Sequence, residues 1–167
     1  MQIPFFFCGH LAAALVEEPQ DGFSGPYQYA IMCAAIFWCF LGFVFLRKVL
    51  LNYFTDEVTA ITLILLAGAS NLIQYASVDS GMSHAYIFPL YALVLWYTIK
   101  WHEKPGRSFA FLIGLICGLA TISRPTELLI IFIPILWNTQ SKEERTAKWK
   151  LVFSNKNHIY LGCIDRK

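Results

Sequence analysis

Long apolar runs separated by short polar connections constrain this chain more than any other feature. A helix needs about 20 apolar residues to cross the hydrocarbon core of a membrane, and the second and third runs approach that length. The last run covers only about 18 Å as a helix, so the final two runs form either a tight hairpin that does not cross fully or helices extended by their polar ends. The pattern predicts an all-α, polytopic transmembrane helix bundle of about six apolar helices, the last two short. The runs are 3–16, 27–46, 58–76, 85–101, 108–122 and 126–137.

The composition points to lipid as the solvent for this apolar surface. Hydrophobic residues make up 57% of the 167 residues and charged residues only 14%, whereas soluble domains carry about 25% charge. A soluble protein with this composition would have too few polar residues to cover its outside. The formal net charge of +2 does not suggest a nucleic-acid surface. The five cysteines form neither a CxxC motif nor a Cys/His cluster, so no metal site is identified.

The charged connections predict the orientation of the helices. Basic residues lie in the connection at 47–48, in the connection 100–107 and in the tail, and the remaining connections are not basic except for Arg124. Basic connections face the cytoplasm. We therefore expect a transmembrane region over 1–140 and a cytoplasmic basic tail, cut short, over 141–167. The location expected is a bacterial inner or plasma membrane, with the intervening polar segments on the outer face.

The most informative polar segment lies between the two short runs and contains Arg124, Pro125 and Glu127. Proline is favoured in the first turn of a helix, so Pro125 is predicted to open the sixth helix with Ser123 or Arg124 near its cap. The guanidinium of Arg124 matches phosphate or carboxylate, and the N–H groups of a helix start also bind anions. An anion site at the membrane surface is one interpretation. The other is that Arg124 pairs with Glu127 or anchors the helix among lipid phosphates.

Two further outer segments carry candidate binding residues. Asp79 and His84 lie between the third and fourth runs and could do acid–base work or bind a polar substrate, although a cap and a turn explain this segment better. Asp21 precedes the second run and is followed by Tyr27 and Gln28, which could hold a sugar or a lipid headgroup. An interfacial aromatic belt is the favoured explanation of the tyrosine.

Two features inside the runs indicate helix packing. Gly114 and Gly118 form a small-xxx-small pair that permits close contact between helices. Asn71 and Gln74 lie within the third run, and polar side chains at that depth are expected to bond to a neighbouring helix. Nothing in the sequence requires an oligomer.

Three segments of the chain resemble the polytopic glycosyltransferases of the GT-C class, related to the protein mannosyltransferases and the lipid A aminoarabinose transferases. The first is DGFSGPYQYAI at 21–31, followed by a helix and FLRKVLLNYF at 45–54. The second is GMSHAYIFPLYALVLW at 81–96, and the third is GLATISRPTELLIIFIPILW at 118–137. The resemblance implies an enzyme that takes a sugar from a polyprenyl-phosphate carrier and passes it to an acceptor on the outer face. It also implies membrane lipid as a partner and often a divalent metal.

The chain departs from the family in one important place. The principal catalytic aspartate of the family lies in a first outer loop, and no such loop precedes the first apolar run here, so the catalytic residue is unassigned and Asp21 is not promoted to that role. The chain is therefore expected to be a fragment, inactive alone. The substrate-binding candidates are Arg124, Glu127, Asp79, His84, Asp21, Tyr27 and Gln28.

Two other classes of protein remain open. A small transporter or flippase subunit would place polar residues at the bilayer midplane, often within paired repeats. A non-catalytic membrane scaffold would use its polar connections only as caps and anchors.

Overall fold

The computed structural model describes residues 1–138, 146 and 148–150, and every regular element among them is helical. The chain divides into two compact units, Met1–Pro89 and Leu90–Lys167. The all-α prediction is therefore confirmed for the described residues. The elements are α1 (Ile3–Leu15), α2 (Gly25–Leu50), α3 (Asp56–Gly68), α4 (Leu72–Ser77), α5 (His84–Glu103), α6 (Arg107–Ser123), a 3-10 helix (Pro125–Ile131) and α7 (Phe132–Leu136).

The first unit is built on α1, α2 and α4, and small residues bring α1 and the start of α5 close to α2. Gly9 of α1 approaches α2 so closely that an added Cβ would lie 3.0 Å from the Ala30 Cβ. Farther along, Ala34 and Ala35 of α2 are fully buried together with Ala85. Side chains this short let helix backbones come together, so the core of this unit lies along α2.

Within the described residues, one helix is both long and apolar enough to cross a membrane. Helix α2 has 26 residues and a mean hydropathy of 2.3 in its most apolar window, of which only 22% is buried. At 1.5 Å per residue it is about 39 Å long, which exceeds a hydrocarbon core of about 30 Å. Phe37 and Phe40 point outward from it. The bundle of about six transmembrane helices stays a prediction.

The third apolar run is not one helix but two. Helix α3 ends at Gly68 and α4 begins at Leu72. The residues between them include Ser70 and Asn71, and the Ser70 hydroxyl donates to the Leu66 carbonyl while its oxygen accepts the Leu72 N–H at 3.3 Å. Serine and asparagine compete with the backbone for hydrogen bonds, and glycine disfavours helix. The polar interruption of an apolar run therefore ends the helix.

The sixth run is also split, into a 3-10 helix and the five-residue α7. As predicted, Pro125 opens the segment and Arg124 occupies the cap position, with φ −149° and ψ 121°. A second proline, Pro134, removes another backbone donor, and the isoleucines around it disfavour α-helix. Pro125 therefore opens a short, irregular helical segment, and the anion site expected there stays a prediction.

The charged stretch 141–150 and the tail lie largely outside the described residues. Residues 148–150 are helical, and Lys148 is only 9% exposed. Its ammonium donates to the carbonyls of Pro134, Ile135 and Trp137 at 2.7, 2.9 and 2.6 Å. One lysine of the predicted basic tail is therefore buried and stabilises the end of α7.

Replacing Gly42 by alanine is expected to destabilise the first unit. A Cβ at this position would lie 2.6 Å from the Phe88 ring and 3.1 Å from the Pro89 Cα, and such overpacking costs about 1–3 kcal/mol. The control is Gly114→Ala, whose Cβ would meet nothing within 4 Å and should gain up to about 1 kcal/mol from helix propensity. Circular dichroism in detergent micelles should show a lower unfolding midpoint for Gly42→Ala only. Equal midpoints would contradict the close packing at Gly42.

Candidate functional site

The polar loop 124–127, made of the residue after α6 and the first turn of the 3-10 helix, places Arg124 and Glu127 one turn apart. Helix α6 ends at Ser123, whose hydroxyl bonds back to the Leu119 carbonyl at 2.9 Å. The Glu127 N–H donates to the Arg124 carbonyl at 2.9 Å. Both side chains are half-buried. The junction of α6 with the 3-10 helix thus places a guanidinium and a carboxylate on the same polar loop.

Tyr91 of α5 completes this arrangement within the second unit. Its hydroxyl donates to the Glu127 carboxylate at 2.6 Å, a length typical of a strong charge-assisted hydrogen bond. The bond connects two residues that lie 36 positions apart in the chain. It orients the Glu127 carboxylate and leaves acceptor capacity on its oxygens, because an ionised carboxylate offers about four lone-pair sites.

Exposed apolar side chains surround this polar loop in sequence. Ile122 is 84% exposed just before it, and Leu128 and Leu129 are 58% and 67% exposed just after it. A charged and hydrogen-bonding loop flanked by apolar surface offers contacts to a ligand that carries a polar head on an apolar chain.

Asp21 organises a turn in the first unit. Its Oδ1 accepts the N–H groups of Phe23 and Ser24 at 2.8 and 2.9 Å, and these bonds hold the pKa of Asp21 below its usual range. Gly22 has a φ of 83°, a conformation that glycine adopts without strain. The Asp-Gly pair therefore forms a turn before α2.

Of the two other candidates near this turn, Tyr27 is buried and Gln28 is exposed. Tyr27 is 1% exposed, and its hydroxyl lies 2.5 Å from the His10 Nδ1. The Gln28 side chain donates to the Phe23 carbonyl at 3.4 Å. Tyr27 thus serves the packing of α1 on α2, whereas Gln28 and Tyr29 are exposed.

Asp79 and His84 lie in a turn that leads into α5. The Asp79 carboxylate accepts from the Gln74 side chain at 3.1 Å, and its carbonyl accepts the Met82 N–H at 2.9 Å. The His84 ring stacks on Tyr75 with centroids 4.6 Å apart. Gln74 therefore bonds to the adjacent turn rather than to a neighbouring helix, and the contacts favour the cap-and-turn interpretation.

The predicted site residues separate between the units. Arg124 and Glu127 belong to the second unit, whereas Asp21, Asp79 and His84 belong to the first, together with Tyr27 and Gln28. That all of them share one outer face stays a prediction. Sequence reasoning missed Tyr91, although a hydroxyl inside an apolar run is a signal, since polar groups there need partners.

The divalent metal implied by the family resemblance finds no matching set of ligands in the described part of the chain. No three His, Cys, Asp or Glu side chains converge there. The residue roles proposed below therefore involve no metal.

The comparisons with known proteins leave the function to be argued from the residues. No protein-family model, no curated protein and no solved structure matches this chain.

Proposed function

We propose that this chain is part of a multi-pass membrane glycosyltransferase that takes a sugar from a lipid-phosphate carrier and passes it to an acceptor on the outer face of the membrane. The observation that carries the proposal is the loop of Arg124 and Glu127 with its bond to Tyr91. The resemblance of segments 21–54, 81–96 and 118–137 to GT-C enzymes supports it.

Each residue of the loop has a role that its chemistry suits. Arg124 binds the carrier phosphate, because a guanidinium donates two parallel hydrogen bonds to phosphate oxygens. Glu127, oriented by Tyr91, accepts hydrogen bonds from sugar hydroxyls. The apolar chain of the carrier lies along the exposed side chains of Ile122 and Leu129. The base that activates the acceptor is not among the residues assigned.

A membrane scaffold is the second candidate, and one observation favours it. The polar groups of Asp21 and Asp79 are engaged by neighbouring turns, as expected for caps and anchors. A scaffold, unlike a glycosyltransferase, is not expected to bind a lipid phosphate selectively.

The full chain in lipid nanodiscs provides the test. We expect a polyprenyl-phosphate hexose to bind about tenfold more tightly than the corresponding free polyprenol, because the phosphate adds charge-assisted bonds to Arg124. Binding is measured by displacement of a fluorescent polyprenyl phosphate. Equal affinities for the two lipids would reject the transferase proposal and leave the scaffold.

A further inference from the structure

The second unit contains a cavity of about 710 Å³ whose polar wall is separate from the polar residues of the proposed sugar-transfer site. Tyr91, Arg124 and Glu127 are not among its lining residues. One wall is the small-residue face of α6 with Gly114, Gly118 and Thr121. The volume falls within the range of about 300–1,000 Å³ that is typical of ligand pockets.

Gly114 and Gly118 were predicted to pack against another helix, and the described part of the second unit shows no such contact. A Cβ added at either glycine would have no atom within 4 Å among the neighbours described. Both glycines line the cavity. The small residues thus leave space along α6 instead of closing it against another helix.

A second, independent observation comes from the wall formed by α5. Thr98, Trp101 and His102 line the cavity on successive positions of one helix face. The Thr98 hydroxyl, the Trp101 indole N–H and the His102 Nε2 are buried without a hydrogen-bond partner in the described part of the chain. Thr98 is fully buried and Trp101 is 8% exposed. Buried polar atoms are nearly always bonded in proteins, so this cluster indicates a missing partner.

The geometry at His102 determines what that partner must offer. Its Nδ1 lies 2.8 Å from the Thr98 carbonyl oxygen, which can only accept, so Nδ1 carries a proton. Burial lowers the pKa of His102, and the charge of Lys148 lowers it further. The ring is therefore neutral near pH 7 and its Nε2 is an acceptor. The partner must donate to Nε2 and accept from the indole N–H.

The ammonium of Lys148, which lines the cavity, does not need an anion as a partner. An ammonium has three protons, and those of Lys148 are directed at three backbone carbonyls, of Pro134, Ile135 and Trp137. No proton is left for a phosphate or carboxylate. A hydroxyl is the smallest neutral group that both donates and accepts, and an apolar cavity suits a hydrocarbon chain.

We propose that this cavity binds an uncharged single-chain lipid whose free hydroxyl is held by Thr98, Trp101 and His102. The inference is separable from sugar transfer, since its polar contacts come from other residues and its ligand has no phosphate. The two proposals share only the apolar side chain of Ile122, which lines this cavity and also lies on the proposed path of the carrier chain.

Native mass spectrometry of the full chain released from detergent tests the head group with three probes of equal chain length. These are cetyl alcohol, palmitic acid and hexadecane. We expect one bound copy of the alcohol, with about tenfold higher affinity than either of the others. Only the alcohol both donates to the His102 Nε2 and accepts from the Trp101 indole N–H. Palmitate binding as tightly as the alcohol, or better, would overturn the proposal, and so would equal binding of hexadecane.

Two variants test the position of the ligand. Gly118→Leu should abolish alcohol binding by filling the cavity, whereas Gly68→Leu, at another open glycine outside the cavity, should bind like the unaltered chain. His102→Leu should weaken alcohol binding about tenfold without changing hexadecane binding, and His102→Gln, which keeps an acceptor, should recover most of it. If Gly118→Leu does not fold, the comparison of His102→Leu with His102→Gln tests the position of the ligand. Unchanged alcohol binding in His102→Leu would refute the assignment.

Discussion

Replacing Arg124 by alanine is expected to weaken binding of a polyprenyl-phosphate hexose by about tenfold. A hydrogen bond to a charged group contributes about 1.5–3 kcal/mol, and tenfold in affinity corresponds to about 1.4 kcal/mol. The half-buried guanidinium beside apolar surface is the proposed phosphate ligand. Affinity is measured in nanodiscs by displacement of the fluorescent polyprenyl phosphate, and binding of the free polyprenol should not change.

The matched control for this prediction is Arg107→Ala. Arg107 is an exposed arginine at the opposite end of α6, so it tests whether any positive charge on this helix attracts a phosphate lipid. Arg124→Lys should recover only part of the affinity, because an ammonium lacks the planar fork of a guanidinium. Similar losses in Arg107→Ala and Arg124→Ala would mean that the effect is a general electrostatic one, and the assignment of Arg124 would fall.

The positions of most helices could be predicted from the sequence because long apolar runs leave little choice of secondary structure. The runs 85–101 and 108–122 correspond to His84–Glu103 and Arg107–Ser123. The prediction of a single helix over the third run was wrong, because hydropathy does not register the competition of the Ser70 hydroxyl for backbone hydrogen bonds.

The candidate site could be predicted only in part. Arg124, Pro125 and Glu127 stand out because charge and proline interrupt an apolar region, and Pro125 opens a helical segment as expected. The bond from Tyr91 to Glu127 could not be read from the sequence, since it depends on how α5 lies against the loop after α6. The same limit applies to Gly114 and Gly118, because spacing alone does not distinguish a packed face from a cavity wall.

Lys148→Met should lower the free energy of unfolding by about 3 kcal/mol, because three backbone carbonyls lose a charged hydrogen-bond donor. The last carbonyls of a helix have no intrahelical partner, and those of Pro134 and Ile135 in α7 depend on this ammonium. The measurement is unfolding in mixed micelles with increasing SDS, followed by circular dichroism.

Lys150→Met is the matched control, because Lys150 lies two residues away and is exposed. Lys150→Met should change the free energy of unfolding by less than about 0.5 kcal/mol. The free energy of unfolding of Lys148→Arg should lie between those of Lys148→Met and Lys150→Met. A planar guanidinium cannot direct its protons at three carbonyls as a tetrahedral ammonium does. If Lys148→Met and Lys150→Met unfold at the same SDS fraction, the ammonium is not bound to the carbonyls. Its protons would then be free for an anion. The neighbouring cavity would no longer favour an uncharged ligand.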